Sequence, residues 1–386
     1  MPRILSISHS YVVALNRRLV HEMGRIGGPS WEMVAVSPSF FRAELRSLAA
    51  ETTSKDDSFL FEPVPAALPG GAHLLLYGWR LRELLRVPRD LVHAWEEPFV
   101  LAGAQIAAWT PRRTPLVFAS FQNIAKKYPP PFAQLERFAV GRSAGIIAGG
   151  QTVAEALKTK SLYSKRPMRI IPLGVDVKRF SPDPVRGAEV RRRLGWSEPA
   201  PPVVGFLGRF EHSKGVLLLC RVLDRLRVPW RALLVGTGPL EGSLRQWASA
   251  RPGQVRILNN VRHDNVPEHL NAMDLLCAPS QTTPSWREQV GRMLIEAFAS
   301  GVPVVASASG EIPHTVGEAG LVVDESDEDG WGSTIEQLLG DARERARMAA
   351  AGLERARTHY AWPVIARAHL SFFEELLSSR RTSLAS

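Results

Sequence analysis

The sequence predicts an α/β chain made of two doubly wound domains. Three observations lead there. Short apolar runs alternate with amphipathic stretches from end to end, the rhythm of parallel strands joined by helices. The chain has 386 residues, 45% of them hydrophobic and 22% charged, and single cores stop growing at roughly 250–300 residues. The alternation is interrupted once, near the middle, by "MRIIPLGVDVKRFSPDPVRG", a strand followed by a connection punctuated by Pro, Asp and Gly, as interdomain linkers are. The expected domains are 1–175 and 176–362, with a terminal helix over 363–386 packing back on the first.

Taken in order, the first half offers the strands "RILSIS", "WEMVAVS", "DLVHAW", "PLVFAS" and "AGIIAG". The second offers "PPVVGFLG", "RALLVG", "QVRIL", "DLLCAPS" and "VPVVAS". The closing "WPVIARAHLSFFEELLSS" has the pattern of a helix with no strand of its own. Ligands of open α/β sheets sit outside the carboxyl ends of the strands, so a cleft faced by both domains is the expected site.

Composition narrows the class. Cys220 and Cys277 both lie in apolar runs, which suits free buried thiols, a reducing compartment and no disulfide framework. The opening "MPRILSISHS" lacks the apolar core and cleavage site of a leader, and no run approaches 18 apolar residues. The expected location is cytoplasmic. A formal charge of +10 suits phosphorylated ligands, anionic lipid or nucleic acid. Nucleic acid is not expected, because no aromatic–basic platform or known module accompanies the charge.

Three segments carry chemistry. In "VVGFLGRFEHSKGVLLLCRVL" a strand, a polar turn and a helix follow one another, with Arg209 and Lys214 in the turn. Two cations beside a helix N-terminus suit a diphosphate; a basic solvated loop is the plain alternative. "RALLVGTGPLEGSLRQWA" repeats the form, but Glu241 stands where a dinucleotide fingerprint needs its third glycine. In "PSWREQVGRMLIEAFASGVPVVAS", Glu288 is expected to open a helix to Gly301, with Val290, Met293, Leu294, Ala297 and Phe298 as its apolar stripe. Glu288 and Glu296 then stand ~12 Å apart along the axis and ~80° apart around it. Alone, the pattern describes an amphipathic helix with two exposed acids.

Taken together, Gly208-Arg209, Lys214-Gly215, Gly236-x-Gly238-Pro239, Ala278-Pro279-Ser280, Glu288-x7-Glu296, Gly301-x-Pro303-Val304-Val305 and Ser309-Gly310-Glu311-Ile312-Pro313 occur in one order. The ordered set resembles the nucleotide-sugar domain of retaining, family-4 (group 1) glycosyltransferases with the GT-B fold, two Rossmann-like domains facing a cleft. It is specific mainly over residues 203–325. The resemblance implies that Arg209 and Lys214 hold the donor diphosphate, that Glu288 meets the sugar hydroxyls, and that Glu296 meets the ribose. Gly208, Gly238 and Gly291, with backbone around Gly310, Glu311 and Ile312, complete the donor site it implies. A diphosphate separates sugar from ribose by about two helical turns, which accounts for the spacing of the carboxylates.

The implied reaction moves a hexose from a UDP- or GDP-sugar to a saccharide, lipid-linked or small-molecule acceptor. Retention in this class is attributed to front-face attack in which the leaving diphosphate takes the acceptor proton, so no protein nucleophile is needed. No cofactor is expected, and no metal, since no Asp-x-Asp accompanies the cations. An epimerase of the same fold is the alternative enzyme and would need an acid–base set in the cleft; a basic nucleic-acid-binding protein is the alternative outside enzymes.

The first half departs from the family pattern. "SISHSYVVALNRR" lacks the glycine pair common after the first strand, and Phe121-Gln122-Asn123 stands where many members carry a histidine. The acceptor-side candidates are His9, Glu96, Glu97, Gln122 and Asn123; for the acidic "HAWEEPF" a polar loop is an equal alternative. Finally, "GAHLLLYGWRLRELLRVPRD" combines Leu74, Leu75, Tyr77, Trp79, Leu81, Leu84 and Leu85 with Arg80, Arg82, Arg86 and Arg89. As a basic amphipathic helix over 73–90 it would lie peripherally on the anionic inner face of a membrane. An internal helix with a solvated basic edge explains it as simply.

Overall fold

The computed structural model describes residues 2–42, 47–54, 56–68, 71–196 and 200–385. The chain divides into two compact units, one of Met1–Pro172 with Trp362–Ser386 and one of Leu173–Ala361. Each is built on its own parallel sheet.

The first sheet has seven strands in the order Met168–Ile170, Gly145–Ala148, Leu116–Ser120, Leu91–Ala94, Arg3–Ile7, Glu32–Pro38 and Leu60–Val64. All its pairings are parallel. The chain starts mid-sheet, winds outward to Leu60–Val64, then returns to lay Leu91–Ala94 on the other side of Arg3–Ile7. Helices cover both faces, so the middle strands are buried throughout and read as nearly continuous apolar runs, interrupted in Leu91–Ala94 by buried His93. The terminal helix Trp362–Ala385 lies against the helix Arg18–Gly27 and closes this core. A Cβ on Gly145 would come within 2.9 Å of both Phe372 and Leu376. His369 and Phe373 pack on buried His93, with ring centroids 5.5 and 5.4 Å away.

The second sheet has six strands, in the order Val255–Leu258, Arg231–Val235, Val203–Leu207, Leu275–Ala278, Val304–Ser307 and Leu321–Val323. Again every pairing is parallel, and the order reverses beside the first-formed strand, between Val203–Leu207 and Leu275–Ala278. Two apolar cores flank it, one around Phe298, Leu233 and Val304, the other around Trp331, Phe210 and Leu219. Cys220 and Cys277 are buried free thiols, and burial pushes the Cys220 thiol up to about 12. No helix among the described residues is long and apolar enough to cross a membrane.

Two expected helices are shorter than their patterns. The stretch expected as one basic helix over 73–90 is a short strand, Leu76–Tyr77, followed by the eight-residue helix Trp79–Arg86. Gly78 is extended and its amide donates to Pro65 O at 2.7 Å, which holds the chain in strand geometry up to that point. Pro88 then keeps Val87 extended and ends the helix. The helix expected over 288–301 begins only at Arg292 and runs to Ala299. Gly291 sits in the left-handed region, φ 66° and ψ 50°, and Glu288 and Val290 precede the helix. The helical arithmetic for the two glutamates therefore does not hold.

The terminal helix is a structural member of the first unit. Phe373→Ala should lower that unit's stability by about 3–5 kcal/mol, the usual cost of removing a buried aromatic. Denaturant unfolding followed by tryptophan fluorescence checks this; a midpoint like the parent's would mean that the helix contributes little.

Candidate active site

The loops that follow Val203–Leu207 and Leu275–Ala278 leave the second sheet where its order reverses, the place where α/β sheets open a crevice. After Gly208 the first loop passes through a tight turn, His212–Lys214, into the helix Val216–Arg225. Gly215 joins them at φ +67°, and a Cβ there would lie 1.8 Å from Pro279 O. Only glycine lets the two loops press together. That contact carries Lys214 to Glu288, with Nζ 2.7 Å from Oε2.

Glu288 is buried and well supplied with donors. Ser280 Oγ donates to the same oxygen at 3.1 Å, and the Gly291 amide reaches Oε1 at 3.4 Å. The Lys214 ammonium also lies 4.4 Å from the Trp286 ring centroid. Burying a carboxylate is tolerable only with such partners. The turn around Gly310 holds the backbone of Glu288 in place: Glu311 N donates to Glu288 O at 2.9 Å, and a Cβ on Gly310, φ +54°, would lie 2.1 Å from that oxygen. Ile312, fully buried, opens the next short helix.

Glu296 lies on the helix Arg292–Ala299 and is also buried, 6% exposed. The expectation of two exposed acids on a solvated face is thus overturned for both residues: Glu288 faces Lys214, and Glu296 faces His263, whose Nε2 is 3.3 Å from Oε1. The other ring nitrogen, Nδ1, is 2.7 Å from Arg179 Nη2. A guanidinium can only donate, so Nδ1 accepts and the proton resides on Nε2, from which it is donated to Glu296.

A cavity of about 260 Å³ joins these groups, lined among others by Gly208, Lys214, His263, Ser280, Glu288 and Glu296. Arg209 is not on its wall; it is half exposed, with Nε 3.1 Å from Glu211 Oε2. Gly238 lies where its loop meets Phe210, whose amide donates to Thr237 O at 2.8 Å. His263 and Trp286 went unmarked in the sequence. Their only signal was position, each in a loop beyond the carboxyl end of a strand.

In the first unit the acceptor-side candidates follow the carboxyl ends of three neighbouring strands, Arg3–Ile7, Leu91–Ala94 and Leu116–Ser120. His9 and Glu96 meet across the point where this sheet reverses. The His9 amide and Nδ1 each lie 2.6 Å from a Glu96 oxygen, and Tyr77 OH donates to Glu96 at 3.0 Å. Burial lowers the His9 pKa, but the Glu96 carboxylate outweighs it and holds the pKa above the ordinary value. Glu97 accepts from Ser120 Oγ at 2.7 Å and the Phe121 amide at 2.6 Å. Burial pushes its carboxyl up to about 7 in spite of those bonds. Gln122 accepts from the Ile124 amide at 3.3 Å, and Asn123 is buried. Both acids of "HAWEEPF" are thus turned onto protein partners. Among the described residues no group of three His, Cys, Asp or Glu is placed to hold a metal ion.

Fold and site together define a GT-B protein with two Rossmann-like domains. The family description "Glycosyl transferases group 1" matches residues 201–341, and "Glycosyltransferase Family 4" matches 43–179. The chain belongs to this family. It is 30% identical over 305 residues to the lipopolysaccharide core biosynthesis mannosyltransferase LpsB of Rhizobium meliloti, covering 75% of this chain and 84% of that one. It is 33% identical over 260 residues to a GDP-mannose-dependent alpha-(1-6)-phosphatidylinositol monomannoside mannosyltransferase of Mycolicibacterium smegmatis, covering 65% and 66%. The match thus spans just under two thirds of that relative's length. Among solved structures, HepE of Anabaena in complex with UDP and glucose has the same fold, with TM-score 0.73, 18% identity, and 97% and 100% coverage.

The raised Glu97 carboxyl has a stability consequence. Folding favours its neutral form, so the stabilisation is fully present below pH about 4.5 and is lost as the pH rises through about 7. Glu97→Gln cannot ionise and should show a flatter profile. Denaturant midpoints at pH 5 and pH 8 check this: the parent should lose ground to the variant at pH 8, and parallel profiles would refute it.

Proposed function

We propose that the chain is a glycosyltransferase that moves a hexose from a nucleoside diphosphate sugar to a saccharide, lipid-linked or small-molecule acceptor, with retention of configuration. The observation that carries this reading is the single cavity in which Lys214 meets Glu288 and Glu296 stands beside them. The names of the relatives support it, one being GDP-mannose-dependent and another a mannosyltransferase. The complex of HepE with UDP and glucose is a further support for a nucleotide donor.

In this reading Lys214 gives its charge to the donor diphosphate and Arg209 turns from Glu211 to join it. Glu288 binds the sugar hydroxyls. Glu296, with one oxygen held by His263, offers the other to the ribose. Gly208, Gly238 and Gly291 keep the loops close, and backbone at Gly310, Glu311 and Ile312 lines the sugar end. Negative charge grows on the leaving diphosphate, which takes the acceptor proton. Fixed cations therefore stabilise the transition state more than the ground state. No metal or cofactor takes part. His9 with Glu96, and Glu97, Gln122 and Asn123, serve the acceptor side. Peripheral contact with an anionic membrane would use exposed Trp79, over which Arg82 lies at 4.4 Å from the ring centroid.

Calorimetric titration of UDP and GDP, with and without chelator, tests the donor half. One nucleotide should bind equally in both conditions; loss of binding on chelation would remove the metal-free mechanism. Lys214→Ala should lower turnover by roughly 10²–10³, the size of one contact to developing charge, and near-parental turnover would return Lys214 to a structural role.

The two carboxylates should fail differently. Glu288→Gln, at the reacting sugar, should reduce turnover more than nucleotide affinity. Glu296→Gln, at the ribose, should raise the donor KM more than it lowers kcat, and His263→Leu should follow Glu296→Gln because it frees the carboxylate to turn. Steady-state kinetics with varied donor separate the cases; both constants within about twofold of the parent for every variant would remove these residues from the site.

A further inference from the structure

A second cavity, of about 720 Å³, opens in the first unit, remote in sequence from every donor-site residue. Three segments build it: the loop after Leu116–Ser120 brings Lys126 and Lys127, the helix Phe132–Arg142 brings Arg137, and the turn around Ser161–Ser164 brings Lys160, Lys165 and Arg166. Six cations face a single carboxylate, Glu136, and one of its oxygens, Oε1, is already engaged. It is buried and accepts from Lys160 Nζ at 2.8 Å and Tyr163 OH at 2.9 Å, while Lys160 also lies 4.6 Å from the Tyr128 ring centroid.

The other cations are unspent. Arg166 donates to Gly141 O at 2.6 Å, but Lys126, Lys127, Arg137 and Lys165 have no acidic partner among the described residues. Several exposed cations elsewhere do have such partners: Arg80 pairs with Glu83, Arg169 with Glu375, Arg221 with Glu328 and Arg347 with Glu344. A concavity whose charges are nearly all of one sign concentrates counter-ions.

We propose that this cavity is an anion site that takes a phosphate-bearing ligand. A carboxylate brings one charge and would leave most of the cations uncompensated. A phosphate monoester or diphosphate brings about two or more charges and several acceptor oxygens, enough to be reached from three segments at once, and a mixture of guanidinium and ammonium groups suits it. At about 720 Å³ the cavity has room for the group that the phosphate esterifies as well. That group belongs either to a lipid or to a soluble compound, and the protein chemistry is the same for both.

Lysine acetylation read by mass spectrometry tests this on the full chain, residue by residue. The probes are inorganic pyrophosphate, vesicles containing phosphatidic acid and, as the uncharged lipid control, phosphatidylcholine vesicles, with exposed Lys178 of the other unit as the control residue. Pyrophosphate or phosphatidic acid, whose headgroup is a phosphate monoester, should slow acetylation of Lys126, Lys127 and Lys165 about fivefold relative to Lys178, and added salt should weaken the effect. Protection by pyrophosphate assigns a soluble ester; protection by phosphatidic acid alone assigns a lipid headgroup. In Arg137→Glu, or in Arg137→Ala should the reversal disturb folding, protection of the three lysines should vanish. Protection of Lys214 should persist there, which separates this site from the proposed donor site. No protection by any probe, or equal protection of Lys178, would overturn the proposal.

Discussion

The second unit depends on one buried ion pair placed where its sheet changes direction. Strand order reverses between Val203–Leu207 and Leu275–Ala278, so the two loops that leave them diverge to cover opposite faces and open a crevice. Lys214 from one loop meets Glu288 from the other across that opening. Every local feature around them serves the meeting. Gly215 allows the loops to touch, Gly310 lets a third loop hold the glutamate's backbone, and Ser280 and the Gly291 amide supply the remaining donors. Such a pair is a poor source of stability, since desolvation offsets most of the attraction. Losing one partner is far worse than replacing both, so the site tolerates ligand chemistry that substitutes for a partner but not simple deletion.

The first unit uses the same device. Its sheet reverses between Arg3–Ile7 and Leu91–Ala94, and there His9 meets Glu96. A parallel sheet supplies no side chains of its own at this point, because its central strands are covered on both faces. The charged groups must come from the loops, and the loops of adjacent strands with opposite winding are the ones that leave room for them. Tyr77 adds a third hydrogen bond to Glu96, after those from the amide and Nδ1 of His9, so that acid is as fully engaged as Glu288.

The parallel strands of the middle of each sheet were legible because burial on both faces writes them as continuous apolar runs. The edges were not. Leu60–Val64 is largely open on one side and contains Pro63, and Leu321–Val323 has only three residues with Val322 exposed; an edge strand needs little apolar sequence. The start of the helix at Arg292 was hidden for a different reason. "EQVGRMLIEAFA" has helical periodicity from its first residue, and the early residues are withdrawn from the helix by contacts with Ser280, Lys214 and Glu311, all outside the stretch that carries the periodicity. The site residues were legible as an ordered set of motifs, whereas His263 was not: its role is set by Arg179 and Glu296 on either side of it, and neither lies near it in the chain.

The loop conformation of Glu288 alters the logic of the two carboxylates. On a continuous helix their separation would be a fixed ruler. In the structure only Glu296 is on the helix, while Glu288 is held by a lysine, a serine hydroxyl and two backbone amides that belong to three different loops. The two ends of the site therefore differ in stiffness. At the Glu296 end, position follows from helix geometry and from a single histidine tautomer, conditions that suit a group whose task is the same before and during reaction. At the Glu288 end, in the reaction proposed above, a diphosphate carrying two negative charges would compete for Lys214 with a singly charged carboxylate. As the lysine turned to the diphosphate it would release one oxygen of Glu288, still oriented by Ser280 and Gly291, for a hydroxyl of the sugar. Binding of the diphosphate and readiness of the carboxylate would then be one event. A rigid helical glutamate, already separated from the lysine, could not couple them.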